Sequence, residues 1–239
     1  TSSFLFFSEP AEDPVLRMVG DHPDLEYVEG HRFTYEEWLG ERFERFQVGD
    51  FEICPAWGAE EPLRETSLRV LLDPGVVFGS GLHPTTRDCL EALSWLWRRE
   101  APETVLDLGT GTGVLAVAAG LLGADRVVAV DLNPLCVRTA ARNVRVNGLE
   151  SRVRTLVCSA EDALDRSGDL VLANIHYEVI RPLLEREPFL NRRWIVFSGL
   201  MRTQARSLKD HLRGMRMEIV REWDRDAVWH TLAVRGRAA

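Results

Sequence analysis

The sequence predicts an α/β fold, a mainly parallel sheet covered by helices on both faces and closed by an antiparallel C-terminal strand pair. Three observations lead there. Strand-like and helix-like segments alternate at short spacing from about Val76 onward. Several of the strands are continuous apolar runs, as in sheets buried on both faces. One such run, Thr104 to Leu108, enters a Gly-rich turn and then an Ala- and Leu-rich helix. In open sheets of this kind, ligands bind beyond the C-terminal ends of the strands.

The elements follow in order. Residues 1–46 form a short polar region with scattered aromatics (Tyr27, Phe33, Tyr35, Trp38, Phe43, Phe46), read as a small core. Thr34 is placed to cap a short helix running to Phe43. Residues 47–75 form a strand-rich lead-in, with turns at Gly49-Asp50 and Asp73-Pro74-Gly75. Residues 76–239 form the main domain. After Thr104–Leu108, helix is expected over Gly113–Leu122 and strand over Val127–Val130. Pro134 sits where a first helical turn begins. That helix runs to Val146 and ends at Asn147-Gly148, a left-handed cap signal. Strands follow at Val153–Cys158, Leu170–Ala173 and Trp194–Ser198, with helices near Val179–Arg186 and Thr203–Leu212. Glu218–Val220 and Val228–Val234 make the closing pair.

Composition narrows the function. The formal charge of −8 opposes non-specific nucleic-acid binding, which needs a basic face. It suits a basic protein partner. No run approaches the roughly 18–20 apolar residues of a membrane span, and Phe4–Phe7 is too short for a signal-peptide core. The expected location is therefore the cytoplasm. Cys54, Cys89, Cys136 and Cys158 form no CxxC pair, so they read as reduced, buried thiols and no metal site is expected.

Five motifs carry chemistry. The first is VLDLGTGTG, with Gly109, Gly111 and Gly113 at a strand-to-helix turn. Glycines let backbone approach a ligand, and the helix start offers free N–H groups to an anion. The spacing is GxGxG rather than the GxGxxG of dinucleotide binders. Asp107, two residues before the first glycine, would repel a pyrophosphate and suits an ammonium group. The second is VVAVDLNP, where Asp131 ends a strand at the place of a ribose ligand. Asp131 and Asn133 are alternative helix caps there. The third is CSAEDAL, in which Ser159, Glu161 or Asp162 either contacts an adenine edge or caps. The fourth is DLVLANIHYEVI. Asn174 stands at a strand end, and His176 and Tyr177 either point into the site or pack over it. The fifth is DPGVVFGSGLHPTT, a Gly-rich loop leading to a helix start at His83 and Pro84 that could close over a ligand.

FGSGLHPTT followed by VLDLGTGTG, VDLNP and LANI resembles the ribosomal protein L11 methyltransferase (PrmA-like) family, from about Phe33 to the C-terminus. The resemblance implies a Rossmann-like class I methyltransferase with a seven-stranded sheet that uses S-adenosyl-L-methionine. It implies that Thr86, Gly109, Asp131 and Asn174 bind the cofactor; the reading of the loop itself adds Asp107, Gly111 and Gly113. It further implies transfer to lysine or N-terminal amines of a ribosomal protein; the residues themselves offer Asn174 and His176 as catalytic candidates, with His83 a further candidate base. The family has a ferredoxin-like substrate-recognition domain, whereas only about thirty residues precede the linker-like stretch from Trp38 to Trp57 here. A shortened N-terminal region is therefore expected, with another protein as an alternative acceptor. Three other readings share these features: a nicotinamide enzyme, opposed by Asp107; a nucleic-acid amino methyltransferase, opposed by charge; and a non-catalytic cofactor-binding protein.

Overall fold

The computed structural model describes residues 11–33, 37, 43–57, 67–166, 168–215 and 217–236. The chain divides into two compact units, Thr1–Phe43 and Glu44–Ala239. In the first, α1 (Glu12–Asp21) buries no residue, and Phe33 is 58 % exposed. The small aromatic core expected here is thus not built on α1 or Phe33. The helix expected from Thr34 lies largely outside the described residues.

The second unit holds two sheets. The smaller has the order β1 (Phe46–Val48), β2 (Phe51–Pro55), β3 (Leu68–Leu72). β1 and β2 form a hairpin at Gly49-Asp50, whereas β2 and β3 pair in parallel. Phe51, Ile53, Val70 and Leu72 are fully buried, which fixes the inner face.

The larger sheet comprises β4 (Thr104–Leu108), β5 (Arg126–Asp131), β6 (Val153–Val157), β7 (Leu170–Asn174), β8 (Trp194–Met201), β9 (Glu218–Arg225) and β10 (Trp229–Arg235). Its spatial order is β6-β5-β4-β7-β8-β10-β9. The first five strands are parallel. β10 inserts antiparallel between β8 and β9. The order reverses at β4, where the sequence passes outward first to β5 and later to β7. Such a switch point opens a crevice above the strand ends.

Among the described residues, six helices cover this sheet: α2 (Pro84–Trp97), α3 (Val114–Leu121), α4 (Pro134–Val146), α5 (Tyr177–Leu183), α6 (Glu187–Leu190) and α7 (Arg202–Gly214). On one face Leu106, Leu108, Val128, Val130, Val171 and Phe197 pack against α5, α6 and α7. On the other, α2 lies against β8 and β10, and α3 and α4 against β5. Alternate residues of the central strands supply the two faces, so nearly every strand residue must be apolar. The helix expected near Val179–Arg186 begins two residues earlier, at Tyr177, and ends at Leu183, just after Pro182; α6 is a separate turn beyond the expected range.

Asp169 aligns the strand starts. Its Oδ2 accepts the N–H groups of Glu103 and Thr104, at 3.1 and 3.0 Å, and its own N–H donates to Thr104 Oγ1. The four cysteines are free thiols, but only Cys89 is fully buried; the other three are half-buried. No described helix is long and apolar enough to cross a membrane.

Candidate functional site

β4 ends at Leu108 and turns through Gly109-Thr110-Gly111-Thr112-Gly113 into α3. The three glycines have φ of +69°, +55° and +82°, a region costing other residues about 1–2 kcal/mol. Thr110 N–H donates to the Val130 carbonyl at 2.9 Å and Gly113 N–H to the Thr110 carbonyl at 2.8 Å, which holds the path. The sequence assigns the missing side chains to ligand approach. The structure gives each of them another cause; for Gly113 it is α4, where a Cβ would meet Ala140 Cβ at 2.9 Å. A Cβ on Gly109 would collide with Ile175, and one on Gly111 with the Phe78 carbonyl. The glycines first let these neighbouring segments close onto the loop.

Two carboxylates border it. Asp107 is 1 % exposed and accepts a 2.6 Å hydrogen bond from the Thr110 hydroxyl. Burial pushes its pKa up to about 7, and the charge of Asp131 adds to the rise, while its bonds to Thr110 and Ala116 oppose it. Asp131 is half-buried at the end of β5. Its Oδ2 accepts Gly111 N–H at 3.0 Å and its Oδ1 accepts Asn133 N–H at 2.9 Å. Asn133 takes the capping role, accepting Leu135 N–H at 2.9 Å at the start of α4. The pair of acids favours a cation beside the loop and disfavours a pyrophosphate.

The segment from Asp73 to His83 lies across the loop as a strap. Thr112 N–H donates to the Phe78 carbonyl at 3.0 Å, and Thr112 Oγ1 to the Gly79 carbonyl at 2.7 Å. The strap ends at His83, whose Nδ1 accepts Thr85 N–H at 3.3 Å and so caps α2. Burial holds the His83 pKa below its ordinary value, consistent with a neutral ring accepting at Nδ1. The ring stands edge-on between Phe78 and Trp229, at 5.3 and 5.1 Å. Trp229 enters this wall from β10, a link that spacing along the chain does not reveal.

Thr86, in the first turn of α2, is 1 % exposed, and its hydroxyl has no hydrogen-bond partner among the described residues. Such a group costs roughly 1–3 kcal/mol unless something else satisfies it. Its neighbour is held firmly: the Thr85 carbonyl accepts the Ser198 hydroxyl at 3.2 Å, and Ser198 is bonded to Thr231 at 2.6 Å. These buried polar residues fasten α2 to β8 and β10.

Asn174 ends β7 opposite Ser198 of β8. Its half-buried side-chain amide has no partner among the described residues. Gly199 beside it has φ +75°, and a Cβ there would lie 3.3 Å from Asn174 Oδ1. His176 is exposed and opens α5 through its backbone, with no side-chain cap bond. Tyr177 packs against the core, bonded to Ser207 at 3.1 Å. Ser159 and Asp162 bond to each other, at 2.7 and 3.0 Å, in a closed capping turn, and Glu161 pairs with Arg186.

The structure thus brings the Gly loop, Asp107 and Asp131 together through direct bonds. Thr86 joins them through the strap and Asn174 through the Ile175 contact with Gly109. Asn143, Ile175, Gly199 and Trp229 are the residues of this assembly that sequence reasoning missed. Among the described residues, no group of three His, Cys, Asp or Glu side chains could hold a metal.

Residues 20–237 match the sequence profile of a family described as ribosomal protein L11 methyltransferase (PrmA). A ribosomal protein L11 methyltransferase of Anoxybacillus flavithermus is 38 % identical over 164 residues, covering 68 % of this chain and 52 % of the relative. One from Clostridium perfringens is 34 % identical over 214 residues, covering 87 % and 67 %. The chain therefore spans about half to two thirds of these relatives' lengths. A crystal structure of a ribosomal protein L11 methylase from Lactobacillus delbrueckii subsp. bulgaricus superposes with a TM-score of 0.71 at 28 % identity, covering 81 % of this chain and 98 % of that one.

Proposed function

The chain belongs to the ribosomal protein L11 methyltransferase (PrmA) family, and from that premise we propose that it transfers methyl groups from S-adenosyl-L-methionine to amino groups of a protein. Lysine or N-terminal amines of the ribosomal protein in the relatives' names are the first candidates. The observation that carries this reading is the fully buried Thr86 hydroxyl, left without a partner among the described residues, just past the end of a strap that is bonded to the Gly loop. Such an atom calls for a partner that the described residues do not supply, and a polar atom of a ligand in the crevice would be one.

The residues fit the cofactor. Leu115 N–H, the donor at the start of α3 that has no bond among the described residues while Val114 N–H goes to Thr112 Oγ1 and Ala116 N–H to Asp107, would take its carboxylate, Asp107 its ammonium, Asp131 its ribose hydroxyls, and Thr86 a further polar atom. When bound, it supplies a methyl group already activated on a sulfonium, so the protein's task is positioning. The Asn174 amide would orient the acceptor amine. A lysine ordinarily titrates near 10.4 and must be neutral to react. A site that desolvates the amine would disfavour its charged form and so assist the loss of its proton. No side chain stands out as an obligatory base, and the exposed His176 is a weak one by position.

Thr86→Val removes the orphaned hydroxyl while keeping the shape. It is expected to leave the melting temperature of the free protein unchanged or slightly raised, and to weaken S-adenosylmethionine binding by about tenfold. Calorimetric titration beside a thermal scan checks both.

The reading itself is tested by transfer of labelled methyl to protein in a ribosome-containing lysate. Label in the small basic ribosomal protein supports the family substrate. Label in another protein keeps the chemistry and replaces the acceptor. Cofactor binding without any label would favour a binding protein and overturn the enzyme reading.

A further inference from the structure

A pair of amides stands at the end of α4, Asn143 within the helix and Asn147 as its C-cap. Asn143 and Asn147 are one turn and four residues apart, about 6 Å along the helix. Leu71 and Asp73, at and just beyond the end of β3, are two residues apart, a span of about 6.6 Å. The match lets one helix complete the open edge of β3. Asn147 Oδ1 accepts Leu71 N–H at 2.9 Å, and its Nδ2 donates to the Leu71 carbonyl at 2.7 Å. Asn143 Oδ1 accepts Asp73 N–H at 2.9 Å, and its Nδ2 donates to the Asp73 carbonyl at 3.0 Å.

Asn143 does one thing more. Its second Nδ2 hydrogen donates to the Thr112 carbonyl at 2.8 Å, inside the Gly loop. The side chain is fully buried and every donor is used. Thr112 in turn holds Phe78 and Gly79 of the strap. One amide therefore grips the strap where it starts, at Asp73, and the loop on which the strap lands. Asn147 grips only the strand and its own helix, through Asn143's carbonyl at 2.7 Å.

We propose that Asn143 is a positioning residue for the cofactor, setting the Gly loop and the strap in mutual register through Thr112. This rests on the reading that the loop binds S-adenosylmethionine. The role separates from mere packing because Asn147 supports the same strand without touching the loop.

The test uses the full chain with Asn143→Asp and Asn147→Ala, read by S-adenosylmethionine titration, amide hydrogen exchange and steady-state kinetics. Asn143→Asp keeps the shape but turns a donor towards two carbonyls into an acceptor. It should weaken cofactor binding at least about tenfold, speed exchange at Thr112 and Gly113, and raise KM for the cofactor with kcat at saturation nearly unchanged. Asn147→Ala should speed exchange at Leu71 and leave cofactor affinity within about twofold. If Asn143→Asp does not fold, Asn143→Ala, which presents no opposing charge to the carbonyls, carries the same comparison. Asn143 variants that bind the cofactor as the wild type does would overturn the proposal. So would an Asn147→Ala chain that loses as much affinity as they do. Wild-type protein that binds no S-adenosylmethionine overturns the functional reading, and the positioning role with it.

Discussion

Asn174→Ala is expected to lower turnover on a protein amine by roughly 100- to 1000-fold, the size of effect seen when one group that orients the reacting atoms is removed. The argument starts from the sheet. β7 ends at Asn174 between the end of β4, which carries the Gly loop, and Ser198 of β8. Gly199 leaves space at the amide, and no described residue bonds to it. Truncation therefore breaks no bond within the free protein, so stability should stay within about 0.5 kcal/mol. Cofactor affinity should fall by no more than about tenfold, the worth of a single hydrogen bond. A large loss of kcat with a small change in binding marks a group acting mainly on the reacting geometry. His176→Ala, at an exposed position, should stay within about threefold of wild type. Full turnover in Asn174→Ala would remove Asn174 from the mechanism. Stopped turnover accompanied by a collapsed melting temperature would assign it to the fold instead.

The central strands were legible because parallel strands buried on both faces must be apolar throughout. β4 spans Thr104–Leu108 as its residues predict, and β5, β6 and β7 differ from expectation by a residue or so at an end. The C-terminal pair was legible as strands but not in its place in the sheet. β10 inserts between β8 and β9, and nothing local in its apolar run says which neighbour it takes. The hairpin before it is made by Asp226 and Ala227, both at φ +54°. Neither is the Asn or Gly that announces such a turn. Asp224 Oδ1 supports it instead by accepting Ala227 N–H at 2.7 Å. β9 runs five residues beyond the expected Val220 because it is an edge strand, where polar residues such as Arg221 and Glu222 are tolerated.

The site divides in the same way. Residues that act through their own loop, such as Gly109 and Asp131, stand in a short readable pattern. Residues that act across the fold do not. Asn143 lies within a helix that reads as amphipathic, and only the approach of β3 gives its amide a task. Trp229 meets His83 through β10's position beside β8. The glycines show the limit most clearly. Their pattern announces a close approach, but only the structure shows that Ile175 and the Phe78 carbonyl make part of it.

Asp107 carries the other large effect, with a sign that distinguishes it from an ordinary carboxylate. Its folded pKa of about 7 lies above the ordinary 3.8, chiefly because the group is buried. The folded state therefore retains a proton that the unfolded chain releases from about pH 4 upward. This contribution to stability is full below the ordinary value and is lost as pH rises through 7. At about 1.4 kcal/mol per pH unit, the loss reaches at most about 4 kcal/mol. Asp107→Asn should accordingly raise the melting temperature of the free protein at pH 8 and change it little at pH 4. The same substitution should weaken S-adenosylmethionine binding at pH 8 by about 10- to 100-fold, since it replaces a carboxylate facing an ammonium group. In the wild type, a cation arriving beside Asp107 favours the ionised form. Binding should then release a proton and strengthen as pH rises from 5.5 to 7. Calorimetry in two buffers of different ionisation enthalpy measures that proton directly. Affinity independent of pH over this range, with no proton released, would mean that Asp107 stays neutral in the complex and serves the loop through Thr110 alone.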